Sequence, residues 1–287
     1  MLHNHRCFAS HLGPWAINGD WMNQAVEAIR NGTWKAVAIA PDAPNEAPSY
    51  QNTDGVALIP VSGPIMRGQS KYGGASSLGI RQGIRAALND PKVSAIMLAV
   101  DSPGGTVTGT DELAQEVKAA TAKKPVYAHV EGQAASAAYW AIAYATRITA
   151  SPTSLVGSIG VFAVLEDTTK AADAQGVRVH VVKSGEMKGA GEPGTPITQG
   201  VLDETKRIVD GMAEFFFQAV KEGRGLDAKG LNAVNDGNAW LASEAKKLGL
   251  VDAVQTMDAS MIQVREKIAK KAARKARADA EIRLAGM

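Results

Sequence analysis

Three places in this sequence combine residue type and spacing in a way that permits chemistry: a serine among alanines, a glycine turn, and a glycine-rich loop carrying lysines. Ser136 stands in VYAHVEGQAASAAYWAIAYA (126–145), where a strand-like stretch passes a glycine and runs into an apolar helix. Ala134, Ala135, Ala137 and Ala138 have little bulk, so a substrate backbone can approach the hydroxyl. The Ala137 N–H, near a helix start, is free of the helix ladder and can donate to an anion. A hydroxyl that merely caps its own helix explains Ser136 equally well. In DSPGG (101–105), which follows the apolar run VSAIMLAV, Gly104 and Gly105 let the backbone take φ > 0 and approach a bound group. Exposed N–H groups there can hold a carbonyl oxygen as it becomes an oxyanion. The same residues also make an ordinary tight turn, with Ser102 as its cap.

A serine nucleophile needs a base. His129 lies on the strand leading to Ser136 and His180 in the middle of VRVHVV; both also read as packed strand residues. A lysine serves only if desolvation or a nearby positive group lowers its pKa from ~10.4 to near neutral, at a cost of roughly 4 kcal/mol. VVKSGEMKGAGEPGTPIT (181–198) supplies Lys183 and Lys188, the latter in a loop able to fold over a site, or simply solvated. Spacing alone leaves His129, His180, Lys183 and Lys188 all open.

The elements that must position these groups alternate. Residues 14–31 read as a helix, with Trp15, Ile17, Trp21, Val26 and Ile29 apolar, and 40–55 as a mobile Pro/Asn-rich connector. VALIPVSGPI (56–65) reads as a strand, Ile80–Leu88 as an amphipathic helix, and 93–100 as a strand buried on both faces. A helix with Leu113, Val117 and Ala120 follows. Then come strand 126–131, helix 134–146, short strands near 147–150 and 156–163, a helix near 166–174 and strand 177–183. A long helix spans about 199–223, and 241–254 adds a short helix and a last strand. Such alternation predicts an α/β protein with a mainly parallel sheet, whose chemistry sits at the strand C-terminal ends. From Asp258 the chain turns Ala/Lys/Arg-rich and reads as a solvated helical tail or a docking helix.

Composition narrows the class. At 287 residues, 45% apolar and 21% charged, the chain suits a soluble globular protein, and a net charge of +2 gives no reason to expect nucleic acid. The lone Cys7 excludes an internal disulfide framework and fits a reducing compartment. No apolar run is long enough for a signal peptide or transmembrane segment, so a cytoplasmic protein is expected. His3, His5 and His11 read as residues of a terminus rather than as a metal site.

Four stretches in order then resemble the S49 family of serine peptidases, the signal peptide peptidase A group and its phage relatives. They are SAIMLAVDSPGGTVTGTDELAQEV, KPVYAHVEGQAASAAYWAIAYATRITASPTSLVGSIGVF, VRVHVVKSGEMKGAGEP and ASEAKKLGLVDAV. The resemblance covers about 55–255, with 1–54 as an N-terminal helix and connector and 256–287 as a basic tail. It implies a ClpP/crotonase-like fold and a Ser–Lys dyad without metal or other cofactor. Ser136 would be the nucleophile and Lys188, about fifty residues on, the general base. Gly104, Gly105 and Ala137 would form the oxyanion hole, and Ser158 would orient the lysine. In single-unit relatives the dyad can be completed between subunits, so a homo-oligomer is implied, with Lys188 approaching Ser136 of an adjacent chain. Two features depart from the membrane-associated members: no N-terminal anchor, and SAAYW where those often read Ser-Gly-Gly. The SAAYW form, the WAI opening and VALIPVSGPIMRG resemble more the phage branch, which processes capsid or scaffold proteins during head assembly. The implied location is then the bacterial host cytoplasm or the procapsid. An extended substrate is expected on a strand edge near VSGPIMRG. Signal-peptide-peptidase-like degradation of peptides, a crotonase-like acyl-CoA enzyme and an inactive capsid component are the competing readings.

Overall fold

The computed structural model describes residues 14–31, 33, 50–69 and 73–285. Cys7, His3, His5, His11 and the connector up to residue 49 lie outside them. The chain opens with strand β1 (Trp15–Ile17) and helix α1 (Gly19–Arg30), followed by β2 (Gln51–Thr53), β3 (Val56–Ser62), β4 (Ile65–Met66) and β5 (Ala75–Ser76). Next are α2 (Ser77–Asn89), β6 (Ala95–Ser102), β7 (Gly104–Thr106), α3 (Thr110–Thr121), β8 (Val126–Ala135) and α4 (Ala137–Ile142). After β9 (Arg147–Ala150), β10 (Leu155–Gly157) and α5 (Thr169–Ala174) comes the long α6 (Gln199–Arg224). The chain ends through α7 (Ala228–Asn232), β11 (Ala239–Leu241), α8 (Ala242–Lys247), β12 (Ala253–Val254) and α9 (Met257–Ala285).

The apolar run of β6 lies inside the main sheet, whose order is β11-β10-β8-β6-β3-β2, with β9 also on β8 and β12 on β9. The pairs β3–β6, β6–β8, β8–β9, β8–β10 and β9–β12 are parallel; β2–β3 and β10–β11 are antiparallel. The protein is therefore α/β with a mainly parallel sheet flanked by helices. A second sheet, β1-β7-β4-β5, rises from the C-terminal end of β6.

One face of the main sheet carries the principal core: Ile59, Leu98 and Val130 from the strands meet Ile84, Leu113, Val117 and the wholly buried α4. Trp140 of α4 stacks on Phe216 of α6 with centroids 4.9 Å apart, and the Tyr139 hydroxyl donates to the Leu250 carbonyl at 2.9 Å. These contacts fix α4, and so the turn before it. The first turns of α9 cover a smaller cluster, in which Met261 and Val264 pack with Val56, Ala95, Met97 and Tyr127. The basic tail is thus docked through about Ile268 and exposed beyond it.

Several expected elements are corrected. Residues 15–17 form a strand, and the first helix starts only after Asn18, whose side chain accepts from Trp21 N–H at 3.1 Å. The helix expected over 134–146 begins at Ala137, because β8 continues to Ala135. The strand expected over 156–163 ends at Gly157. The strand expected over 177–183 is not formed: these residues are exposed and unpaired, with Val182 fully open to solvent. Its alternating apolar pattern finds no neighbouring strand among the described residues.

Candidate active site

The turn between β8 and α4 is strained at one residue. Ser136 has φ 53° and ψ −120°, a region that side-chain-bearing residues rarely occupy. Such a conformation costs on the order of 1–3 kcal/mol and persists only where the surroundings over-determine it. Here they do. Ser136 N–H donates to the Gly157 carbonyl at 2.7 Å, and Trp140 N–H to the Ser136 carbonyl at 2.9 Å. Ser136 is buried, and its hydroxyl donates a long hydrogen bond of 3.4 Å to the Gly160 carbonyl.

The glycine turn lies against this serine. Gly104 has φ 101°, and a Cβ built on it would strike the Ala16 carbonyl oxygen, the Ala135 carbonyl oxygen at 2.8 Å and the Ala137 nitrogen at 3.0 Å. Gly105 has no room either, since a Cβ there would run into the backbone of Ile65. Both positions need glycine because backbone approaches backbone there. Ser102 plays the expected turn role, its hydroxyl accepting Gly104 N–H at 3.2 Å. Gly104, Gly105, Ser136 and Ala137 thus converge on one spot, with Ala137 fully buried.

Ser158 lies at the same level. Ala135 and Gly157 pair across the parallel strands β8 and β10, and the next residue on each, Ser136 and Ser158, has positive φ (53° and 52°). Ser158 N–H donates to the Asn238 carbonyl at 2.6 Å.

Lys188 differs from Ser136 in its surroundings: Ser136 is buried and Lys188 is not. It is exposed, in a run exposed from 173 to 190, and its backbone N–H bonds the Gly185 carbonyl at 3.0 Å. Lys183 and His180 share that exposed run, with the Lys183 ammonium on the Glu186 carbonyl at 2.6 Å. His129 is a packed strand residue. Its Nδ1 faces the Thr149 hydroxyl at 2.8 Å and the Ser260 hydroxyl at 3.0 Å, and Nε2 faces Ser151 at 3.2 Å. Burial pushes its pKa down to about 4. His129 lies seven residues before Ser136, on the other side of the slip in register between β6 and β8.

The expected substrate edge near VSGPIMRG is already occupied. β3 is paired on both sides, by β2 and β6, and β4 lies between β7 and β5 with Ile65 fully buried. Two contributors escaped sequence reasoning. The Asp101 carboxylate accepts Gln133 N–H at 3.1 Å, where the register of β6 and β8 slips between Val100 and Ser102. A carboxylate at a strand end before a glycine turn is the signal that was there to find. The other is Trp15–Ile17, which lies on β7; three consecutive apolar residues between Pro14 and Asn18 carry no helical period.

Comparison with known proteins places the chain in a family. The family model "Peptidase family S49" matches residues 118–272, just over half of the chain. Protease 4 of Salmonella typhi is 31% identical over 74% of this chain and 34% of its own length. Capsid assembly protease C of Escherichia phage lambda is 31% identical over 83% of this chain and 54% of its own length. The chain therefore spans from a third to just over half the length of these curated relatives. Among solved structures, the ClpP protease catalytic domain from Plasmodium falciparum matches with a TM-score of 0.43 at 13% identity, covering 70% of this chain and 85% of that one. No helix among the described residues is long and apolar enough to cross a membrane.

Proposed function

Because the chain belongs to peptidase family S49, we propose that it is a serine endopeptidase in which Ser136 is the nucleophile and Lys188 of a second copy is the general base. The observation that carries this reading is the strained backbone of Ser136 beside Gly104. Presenting a nucleophile gives a reason for a side chain to be held in that conformation. The exposed run that bears Lys188 supports completion by another copy: among the described residues its valines stay more than a third exposed.

The steps follow from the groups present. The uncharged Lys188 amine accepts the Ser136 proton as Oγ attacks a peptide carbonyl carbon. The carbonyl π pair becomes an oxyanion held by backbone N–H donors among Gly104, Gly105 and Ala137; removing one such donor typically slows a reaction by ~10²–10³. As the intermediate collapses the C–N bond breaks, and the lysine ammonium returns its proton to the leaving amine. Water, deprotonated by the same amine, then attacks the acyl ester and releases Ser136. Ser158, level with Ser136 on the adjacent strand, is assigned to orient the incoming lysine. Metal and cofactor have no part in this scheme.

The relative named as a phage capsid assembly protease supports a substrate class of capsid or scaffold proteins and a role in the procapsid within the host cytoplasm.

The test is subunit complementation. Ser136→Ala and Lys188→Ala chains are each expected to be inactive against a peptide library. Mixed and reassembled, they should regain about a quarter of wild-type activity, because random assembly places an intact Ser136 against an intact Lys188 at that frequency. Full activity in Lys188→Ala alone would overturn the dyad.

A further inference from the structure

The groove beside Ser136 is filled by the chain itself. β1 is hydrogen-bonded on both edges, as an interior strand would be. On β7 it runs antiparallel, with Asn18 N–H on the Pro103 carbonyl at 2.8 Å and Val107 N–H on the Pro14 carbonyl at 3.4 Å. On its other edge, Trp15 N–H donates to the Phe162 carbonyl at 2.8 Å and Phe162 N–H to the Trp15 carbonyl at 2.9 Å. Hydrogen-bonded pairs alternate along an antiparallel ladder. With 14/107 and 18/103 bonded, the pair Ala16–Gly105 is bonded too, and the Ala16 carbonyl takes the Gly105 N–H. That same carbonyl is crowded against Gly104, as is the Ala137 nitrogen. The Ala16 carbonyl therefore takes one donor assigned to the oxyanion, the Gly105 N–H, and stands on the side of Gly104 where the Ala137 nitrogen lies, while the Gly104 N–H is held by Ser102. Gly160, which accepts the Ser136 hydroxyl, lies two residues before Phe162, so the strip that flanks β1 also covers the nucleophile.

What holds β1 there is small and separate. Trp15, Ile17 and Met22 form a cluster of their own, closed by Val26 and Trp21 of α1 together with Met66 and Phe162. A cluster of this size can open while the principal core stays folded.

We propose that β1 is a resident occupant of the substrate groove, an inhibitory strand that an extended substrate segment displaces. The displacing segment runs antiparallel to Gly104–Thr106, with a small side chain at the place of Ala16 between apolar neighbours at the places of Trp15 and Ile17. This rests on the reading of Ser136 as nucleophile. Opposite Gly104 and Gly105 a backbone can come close, and no exposed edge of β3 or β4 competes for it.

The test uses the full chain carrying Ser136→Ala and a fluorescent peptide of sequence LGPWAINGD, residues 12–20. Saturating peptide should speed hydrogen exchange at the resident residues 15–17. Met22→Glu, which loosens the grip of α1 without touching the site, should tighten peptide binding about tenfold, because a competing closed state is removed. Val26→Glu, at a half-exposed position, gives the same readout if Met22→Glu does not fold. Unchanged exchange at 15–17 together with unchanged affinity in both variants would make β1 an ordinary structural strand and overturn the proposal. Displacement of β1 with no hydrolysis by any chain that retains Ser136 supports the occupancy and removes the nucleophile assignment instead.

Discussion

Ser136 separates two demands that small residues usually meet together. Its backbone geometry, φ 53° and ψ −120°, suits glycine, yet the position carries a hydroxyl. Ser136→Gly and Ser136→Ala should both abolish activity, while Ser136→Gly should be the more stable by ~1–3 kcal/mol, the strain that a Cβ imposes there. Urea denaturation of the two variants measures the difference; equal stabilities would mean that the turn relaxes without cost. Gly104 tests the opposite face. Gly104→Ala forces a Cβ into the Ala135 carbonyl and the Ala137 nitrogen. It is expected to cost about 1–3 kcal/mol by overpacking and to lower the peptidase rate more than the substrate affinity. At this scale the close backbone approach was readable in the paired glycines after a buried strand, though the same residues also make an ordinary turn. The partner base was not readable from residue type, because His129, His180, Lys183 and Lys188 differ in surroundings that no spacing conveys.

At the scale of elements, periodicity succeeded where burial is local and failed where pairing is remote. β6 begins as a continuous apolar run and became a middle strand of the sheet. The stretch 14–31 mixes a strand with a helix, and Asn18 as a cap divides them. The helical tail is anchored through a polar knot, His129 with Thr149 and Ser260, beneath the Met261–Val264 contact. Burial holds His129 near pKa 4, against an ordinary 6.5 when unfolded. The unfolded chain therefore binds the extra proton first, so this contribution to stability is complete above pH 6.5 and is lost as the pH falls toward 4. Urea midpoints at pH 7, 5.5 and 4.5 should fall with acid, and His129→Gln should flatten that fall. A wild-type profile no steeper than that of the variant would refute the assignment.

On the scale of the whole molecule, the run from Val177 to Met187 is the part that one chain leaves unfinished. Val177, Val179 and Val181 are each more than a third exposed, and Val182 is wholly so. Exposed valines alternating along an extended segment suit addition to a strand of another copy. Val182→Glu should leave the unfolding free energy of a lone chain within ~0.5 kcal/mol. It should nevertheless shift sedimentation toward the monomer and remove activity, because Lys188 would lose its route to a second Ser136. An active Val182→Glu monomer would place both members of the dyad in one chain.

Composition, the alternation of apolar runs and the paired glycines determined by themselves that the protein is α/β, that its sheet is mainly parallel, and that Ser136 and DSPGG share one end of it. These properties arise from side-chain burial and backbone sterics acting over a few residues, and they are written in residue order. Tertiary structure alone decided that Trp15–Ile17 lie on the glycine strand, that Asp101 holds the slip between β6 and β8, and that Ser136 is buried while Lys188 lies in an exposed run. Each of these depends on which backbone edge is left open once the sheet has closed. An open edge is a property of the assembled surface, and hydrogen bonds across it carry no sequence period.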